Sequence, residues 1–304
     1  DGKIIKLLFM DKLFAKIPFV DNVLKGVGQI MLQENRWTGL LFLVGLFLGS
    51  WQCGVAAILA TAAGTFIAMK LNYDKSQINA GLYGFSAALV GVALAFIFQA
   101  TILIWALIIL GGALAGIIQH FFIQKKIPVF TFPFIIITWV LVFLLHQFTH
   151  IQPSDLISAE IVHTDYDDFL TCTNGFGEVI FQGGVLSGII FFVAVFISSP
   201  VAALYGLTAS ILGAGLSQLN GEPIQEVHMG LFGFNAVLSA IVFSGVKKTD
   251  GLWVLIAVVL TVVIDDILVD NNLLSAVGGV FTFPFVVGTW ITLLIQKLFL
   301  KKTQ

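Results

Sequence analysis

Charge is scarce in this chain. Only 11% of its 304 residues are Asp, Glu, Lys or Arg, 58% are hydrophobic, and the mean hydropathy is +1.01. A soluble domain carries about a quarter charged residues, so the composition excludes an ordinary soluble protein. Cysteine is almost missing: Cys53 and Cys172 alone exclude a disulfide framework and leave either one bridge or two unpaired thiols. There is no Gly-rich phosphate loop, no His-Glu-x-x-His and no Cys-x-x-Cys, which argues against an enzyme, a metal centre or a bound cofactor. The five histidines, His120, His146, His150, His163 and His228, fall mostly at the ends of apolar stretches or in loops. No basic patch interleaved with aromatics suggests nucleic-acid binding. The stretch Lys3 to Lys25 lacks the small-residue cleavage site of a secretion signal. Its apolar residues, Ile4, Ile5, Leu7, Leu8, Leu13, Phe14 and Ile17, suit an amphipathic interfacial helix.

What the chain does have is long uncharged stretches, about 20 residues each, the length that crosses a bilayer. They read as 38–51, 53–69, 80–99, 101–123 and 130–149 in the first half, and 186–198, 200–217, 229–246, 251–268 and 282–300 in the second. The halves repeat. Val129-Phe130-Thr131-Phe132-Pro133-Phe134-Ile135-Ile136-Ile137-Thr138-Trp139 returns as Val280-Phe281-Thr282-Phe283-Pro284-Phe285-Val286-Val287-Gly288-Thr289-Trp290, with eight of eleven positions identical at a spacing of 151. At a spacing of 149, Leu82-Tyr83-Gly84-Phe85-Ser86-Ala87-Ala88-Leu89 matches Leu231-Phe232-Gly233-Phe234-Asn235-Ala236-Val237-Leu238, and Gly28-Gln29-Ile30-Met31-Leu32-Gln33 matches Gly177-Glu178-Val179-Ile180-Phe181-Gln182. Duplication in an apolar chain is the mark of a transporter or channel with its pathway between the repeats.

Five spans is an odd number, so the second half must enter the membrane from the opposite side. With the N-terminus inside, all 15 basic residues fall on the inner side, among them Lys70, Lys75, Lys125, Lys126, Lys247, Lys248, Lys297, Lys301 and Lys302. The outer side receives Asp155, Glu160, Asp165, Asp167, Asp168, Glu222, Glu226, Asp265, Asp266 and Asp270. Lys/Arg asymmetry of this kind sets orientation. The expected fold is therefore an all-α integral membrane protein of two inverted-topology repeats. Each has five transmembrane helices and one re-entrant half-helix, and the pore lies at the repeat interface. The organisation reads as an interfacial segment 1–27, a first repeat 28–150, an acidic extracytoplasmic linker 151–176 and a second repeat 177–304.

The duplicated motifs hold the candidate site. Gln29 and Glu178 are equivalent, each following a Gly at the start of a short apolar segment, 28–35 or 177–184, that suits a half-helix. Glu178 is the one acid expected beside the pathway, unless it merely favours the positive end of its helix. Thr131 and Thr282 precede a Pro by two residues and suit helix caps, or hydroxyls facing each other at the pore centre. Phe85 and Phe234 sit at matching places after a Gly, with Leu89 and Leu238 one turn further on the same faces. Two such faces would make a flat apolar slot for a small, neutral, planar solute with several N–H donors.

At these residues the chain resembles the urea transporter family, channel-like facilitators of bacteria and mammals. The resemblance runs from about Gly28 to Trp290 and includes Trp37-Thr38-Gly39-Leu40-Leu41 besides the motifs above. It implies a homotrimer with one pore per subunit, embedded in lipid, in which urea or a close analogue lies flat between phenylalanines while its N–H groups meet a line of oxygens. Carried over by position, Gln29 and Glu178 mark the ends of that line, and Thr131 and Thr282 its constricted middle. Phe85 and Phe234 are the slot aromatics. Leu89, Leu238, Leu32 and Phe181 form apolar walls, with Ile30 and Val179 beside the polar ends. This chain departs by having Leu32 opposite Phe181 and Ser86 opposite Asn235. The expected activity is passive urea permeation across a bacterial inner membrane, with both termini cytoplasmic. A proton-coupled urea or amide transporter, an ammonia-type channel and a membrane-embedded enzyme are the alternatives. The topology has a direct check: a cysteine replacing Glu160 is expected to react with an impermeant thiol reagent from outside, and one replacing Lys248 from inside. The reverse pattern would overturn it.

Overall fold

A computed structural model describes residues 14, 16–158 and 171–302. The first part of the expected interfacial helix, Glu160 and the acids at 165, 167 and 168 lie outside the described residues. Helices in the first half are α1 (Pro18–Gly28), α2 (Arg36–Gly49), α3 (Trp51–Lys70), α4 (Lys75–Asn79), α5 (Phe85–Ile97), α6 (Ile102–Gln124) and α7 (Phe132–Phe148). The second half repeats the series as α8 (Asn174–Glu178), α9 (Val185–Ser198), α10 (Pro200–Asn220), α11 (Ile224–Met229), α12 (Phe234–Phe243), α13 (Lys248–Asp270) and α14 (Phe283–Lys302). No named strand occurs among the described residues.

Short polar side chains begin several of these helices. The Asn35 side-chain Oδ1 accepts from the N–H groups of Trp37 and Thr38. Ser50 caps α3, Thr101 caps α6, and Ser199, followed by Pro200, caps α10. Among the described residues four helices, α3, α6, α10 and α13, are long and apolar enough to cross a membrane by length and composition. Six shorter apolar helices accompany them. Within each half the packing is the same: α3 lies against α5 and α6 as α10 lies against α12 and α13, and α1 rests on α2 as α8 rests on α9.

Two expectations need correction. The stretches 80–99 and 229–246 are not continuous helices; each opens with a run of turns, and the helix begins only at Phe85 or Phe234. Hydropathy cannot detect the break, because the broken backbone is apolar and enclosed by protein, the condition under which a bilayer tolerates it. Gly81 and Gly230 make the turn with φ of +79° and +89°, a conformation that only glycine adopts without cost. The half-helices also lie on the other side of Gln29 and Glu178. α1 ends at Gly28 and α8 at Glu178, so these residues close the short helices. A Schellman-type turn follows in both: Gln33 N–H bonds the Gly28 carbonyl at 3.2 Å, and Gln182 N–H the Gly177 carbonyl at 3.0 Å. Glu178 thus stands at the negative end of its helix, and attraction to a positive helix end does not explain it.

The halves meet in reciprocal contacts. The Thr38 hydroxyl donates to the Ala194 carbonyl at 2.7 Å, and its counterpart Ser187 donates to the Gly45 carbonyl at 3.2 Å. Phe42 meets its own counterpart Phe191 edge-on, with centroids 5.1 Å apart. The Trp139 indole N–H donates to the Gly279 carbonyl at 2.9 Å, and that of Trp290 to the Pro128 carbonyl at 2.6 Å. No disulfide joins Cys53 to Cys172. The start of the linker is seated on the end of α5, where Gln99 N–H bonds the Gln152 carbonyl and Ser154 N–H the Ile97 carbonyl, both at 3.0 Å.

Glycine sets how closely the half-helices approach. A Cβ on Gly39 would overlap the Leu24 carbonyl oxygen, and one on the equivalent Gly188 would lie 2.6 Å from the Thr173 carbonyl oxygen. Gly215, within α10, has nothing within 4 Å of such an atom. Gly39→Ala and Gly188→Ala are expected to destabilise by about 1–3 kcal/mol through overpacking. Gly215→Ala should be neutral or stabilising by about 0.5–1 kcal/mol. Thermal unfolding in detergent followed by tryptophan fluorescence checks both, and an unchanged midpoint for Gly39→Ala would contradict the tight approach.

Candidate functional site

The two boxes that begin α7 and α14 meet in the buried interior. Thr131 Oγ1 and Thr282 Oγ1 are 2.6 Å apart, and each residue is 2% exposed. Thr131 occupies the cap position of α7, but its hydroxyl makes no capping bond and turns to Thr282 instead. The crossed indole bonds of Trp139 and Trp290 flank this contact. Phe134 against Phe281, with centroids 5.5 Å apart, and Phe130 against Phe285, at 5.3 Å, are a second reciprocal pair around it.

A cavity of about 950 Å³ reaches Thr282. Five of the sequence-derived candidates line it: Glu178, Val179, Phe181, Phe234 and Thr282. Glu178 comes from the last turn of α8, and its carboxylate lies over Gly183, where an ideal Cβ would sit 2.6 Å from Oε1. Phe234 is the first residue of α12. Phe181 packs at 5.4 Å from Phe96, 6.1 Å from Phe281 and 6.4 Å from Phe134, so aromatic rings form the wall between Glu178 and Thr282.

The remaining candidates, those of the first half and Leu238, lie outside the cavity lining. Gln29 donates its amide to the Ala80 carbonyl at 2.9 Å, tying the end of α1 to the break before α5. Ile30, Leu89 and Leu238 are fully enclosed in the core, Phe85 is buried, and Leu32 is exposed. None of these lines the cavity, and neither does Thr131. Leu32 and Phe181 share one unusual feature: their φ values are +58° and +59°. Their place at the turn after a short helix is one glycine usually fills. A large side chain kept there at a steric cost of about 1–2 kcal/mol is the kind of strain that clusters at functional sites.

Reading the sequence missed Phe134 and Phe281, although both stand in the duplicated box and flank the threonines. It also expected one carboxyl at the site, whereas among the described residues three line the cavity, Glu178, Glu226 and Asp265, and no Lys, Arg or His does. Asp265 is 2% exposed and accepts from the Asn235 amide at 2.9 Å. Its neighbour Asp266 faces away from that contact, accepting from Ser217 at 3.1 Å and from Asn220 at 2.5 Å. Glu222, in the turn after α10, is pushed up to about 7 by burial, then by its hydrogen bond to Asp270 and the charges of Asp270, Asp266 and Glu226. The field of this cluster at one end of the cavity disfavours anions.

The histidines fit structural roles where they are described in contact. His120 stacks on Tyr73 with ring centroids 3.5 Å apart, and its Nδ1 is 3.1 Å from the Tyr83 hydroxyl. Among the described residues no group of His, Cys, Asp and Glu could hold a metal ion.

Comparison with known proteins agrees with this geometry. The urea transporter family matches residues 20–297. Urea transporter 1 of Ovis aries is 30% identical over 250 residues, that of Capra hircus 29% over 250 and that of Rattus norvegicus 27% over 246. Each alignment covers 75% of this chain, and the chain spans 64% of the length of each relative. The family match starts within α1 and ends within α14, so it takes in both halves, both threonine boxes and the cavity between them: this chain is an integral membrane protein of the urea transporter family.

Proposed function

We propose that this protein is a passive, channel-like pathway for urea, running between two inverted repeats through the Thr131–Thr282 contact. The observation that carries the reading is that contact itself, two buried hydroxyls 2.6 Å apart at the end of a cavity walled by phenylalanines. The reciprocal bonds between halves support the two-fold relation of the repeats, because a contact and its counterpart exchange roles only across such an axis. Each repeat is then best taken with its short helix, α1 or α8, as well as the helices that follow.

Urea is planar, neutral and rich in N–H donors, and it loses most of its water on entering an apolar slot. Oxygens must replace that water. Glu178 supplies one at the wide part of the cavity, and the threonine hydroxyls supply two at its end, since each oxygen keeps an acceptor site beyond the bond they share. Phe181, Phe234 and Phe281 supply flat apolar walls. Passage requires the two hydroxyls to exchange their mutual bond for bonds to the solute, and that exchange keeps each site weak enough to leave. Gln29 is the counterpart of Glu178 at the far end. Ions are rejected because phenyl walls offer a charge nothing in place of its water. The same reading includes a homotrimer, as the family resemblance implies, in a bacterial inner membrane with both termini cytoplasmic, the orientation that the lysine asymmetry favours.

A second reading, proton coupling, is favoured by one observation: a carboxyl group, Glu178, lines the cavity. Stopped-flow light scattering on proteoliposomes separates the two. A channel gives fast urea-driven volume recovery that ignores a proton gradient, and Glu178→Gln keeps much of it; a coupled transporter loses its gradient dependence in that variant. Thr131→Val with Thr282→Val is expected to lower urea flux by about tenfold or more, since two acceptors for a desolvated donor are lost. Unchanged flux at equal protein yield would remove the threonines from the pathway.

A further inference from the structure

We propose that Asp265 is a positioning residue for selectivity: it fixes the Asn235 amide, which in turn holds Phe281 and Thr282 in the slot. The proposal rests on the reading of the cavity as a urea pathway and names what sets its discrimination among urea analogues.

Asn235, on α12, is wholly buried and makes three bonds. Its Nδ2 donates to Asp265 Oδ2 at 2.9 Å and to the Phe281 carbonyl at 3.1 Å, and its Oδ1 accepts from Phe285 N–H at 3.4 Å. One side chain therefore links α12, α13, the residue before Thr282 and the first turn of α14. Phe281 needs such a hold. Its φ is +48°, a conformation that a phenylalanine adopts only when its surroundings over-determine it. Its ring lines the cavity and packs on Phe134 and Phe181.

Asp265 reinforces the orientation of the amide that the Phe281 carbonyl and the Phe285 N–H also favour. A carboxyl oxygen beside the amide selects the NH₂ end, and with NH₂ there the same group reaches the Phe281 carbonyl while Oδ1 meets the Phe285 N–H. A flipped amide would set its oxygen against both the Asp265 oxygen and the Phe281 carbonyl, and would leave the buried Phe285 N–H facing a donor. The carboxyl thus strengthens the pattern that keeps Phe281 in place. In the first half, Phe130 has the same φ of +48°, but Ser86 stands where Asn235 does, and its buried hydroxyl has no hydrogen-bond partner. The brace exists on the cavity side alone.

The test uses purified full-length protein and four variants. Asp265→Leu removes the acceptor at similar size, Asp265→Asn keeps an acceptor oxygen, and Asn235→Ser installs the first-half residue. Asp266→Asn serves as a neighbouring control. The readouts are the ratio of urea to methylurea flux in proteoliposomes and hydrogen–deuterium exchange over 281–286. Asp265→Leu and Asn235→Ser are each expected to lower the flux ratio by about fivefold, the scale of one lost hydrogen bond. Both should speed exchange over 281–286, and combining them should add little, because they break one linkage. Asp265→Asn is expected to stay close to wild type in both readouts, and Asp266→Asn to leave the exchange over 281–286 unchanged. A wild-type ratio with protected exchange in Asp265→Leu overturns the proposal, as does full additivity. A wild type that carries no urea would sink the proposed function instead, and the exchange data would still decide whether Asp265 braces Phe281. Asn235→Ser keeps the question decidable if Asp265→Leu fails to fold.

Discussion

The meeting of the two halves is the constraint on which the rest of this structure depends. Where one helix series faces its own repeat, every bond in one direction calls for its partner in the other, as with Thr38 to Ala194 and Ser187 to Gly45, or Trp139 to Gly279 and Trp290 to Pro128. Equivalent residues also meet each other, Phe42 with Phe191 and Thr131 with Thr282. In surroundings as apolar as these, each such hydrogen bond is stronger than in water and costly to leave unmade. The interface thus aligns the threonine boxes with little freedom, and the cavity inherits its end wall from that alignment.

A membrane protein with breaks in its helices must hide the exposed backbone, and this one hides it with close packing. α1 covers the turns before α5, and α8 covers those before α12, with glycine at the points of nearest approach. Gln29 adds a direct bond from the end of α1 to the Ala80 carbonyl in that break. The candidate site is therefore built where helices stop: Glu178 at an end, Phe234 at a beginning, Phe181 and Phe281 in left-handed turns. Such places supply polar backbone and strained side chains that a continuous helix cannot offer.

Much of this was legible in the sequence. The apolar stretches and the duplication pointed to an all-helical membrane protein, and the matching of boxes brought Thr131 and Thr282 to notice before their contact was known. Composition alone could not separate a span from a half-length helix with an apolar broken start, because both have the same hydropathy. Nor could it tell on which side of Gln29 and Glu178 the short helices lie, since the turn after each is made by Leu32 or Phe181 and not by the glycine that would announce a helix end. Phe281 was lost among 29 phenylalanines. Asp265 was counted as an outer charge; its role depends on Asn235, which the halves do not share, and a comparison of repeats is weakest where they differ.

The reciprocal interface has a bearing on what a single chain can do that a pair of identical ones cannot. A symmetric dimer of one half would place the same residue at both ends of any path that crosses its two-fold axis at right angles, and every change would appear twice. Carrying both halves in one polypeptide lifts that restriction. Gln29 can differ from Glu178, Leu32 from Phe181 and Ser86 from Asn235 while the contacts at the axis stay matched. The two halves can then be given different chemistry by single substitutions, without disturbing the joint that holds the molecule together.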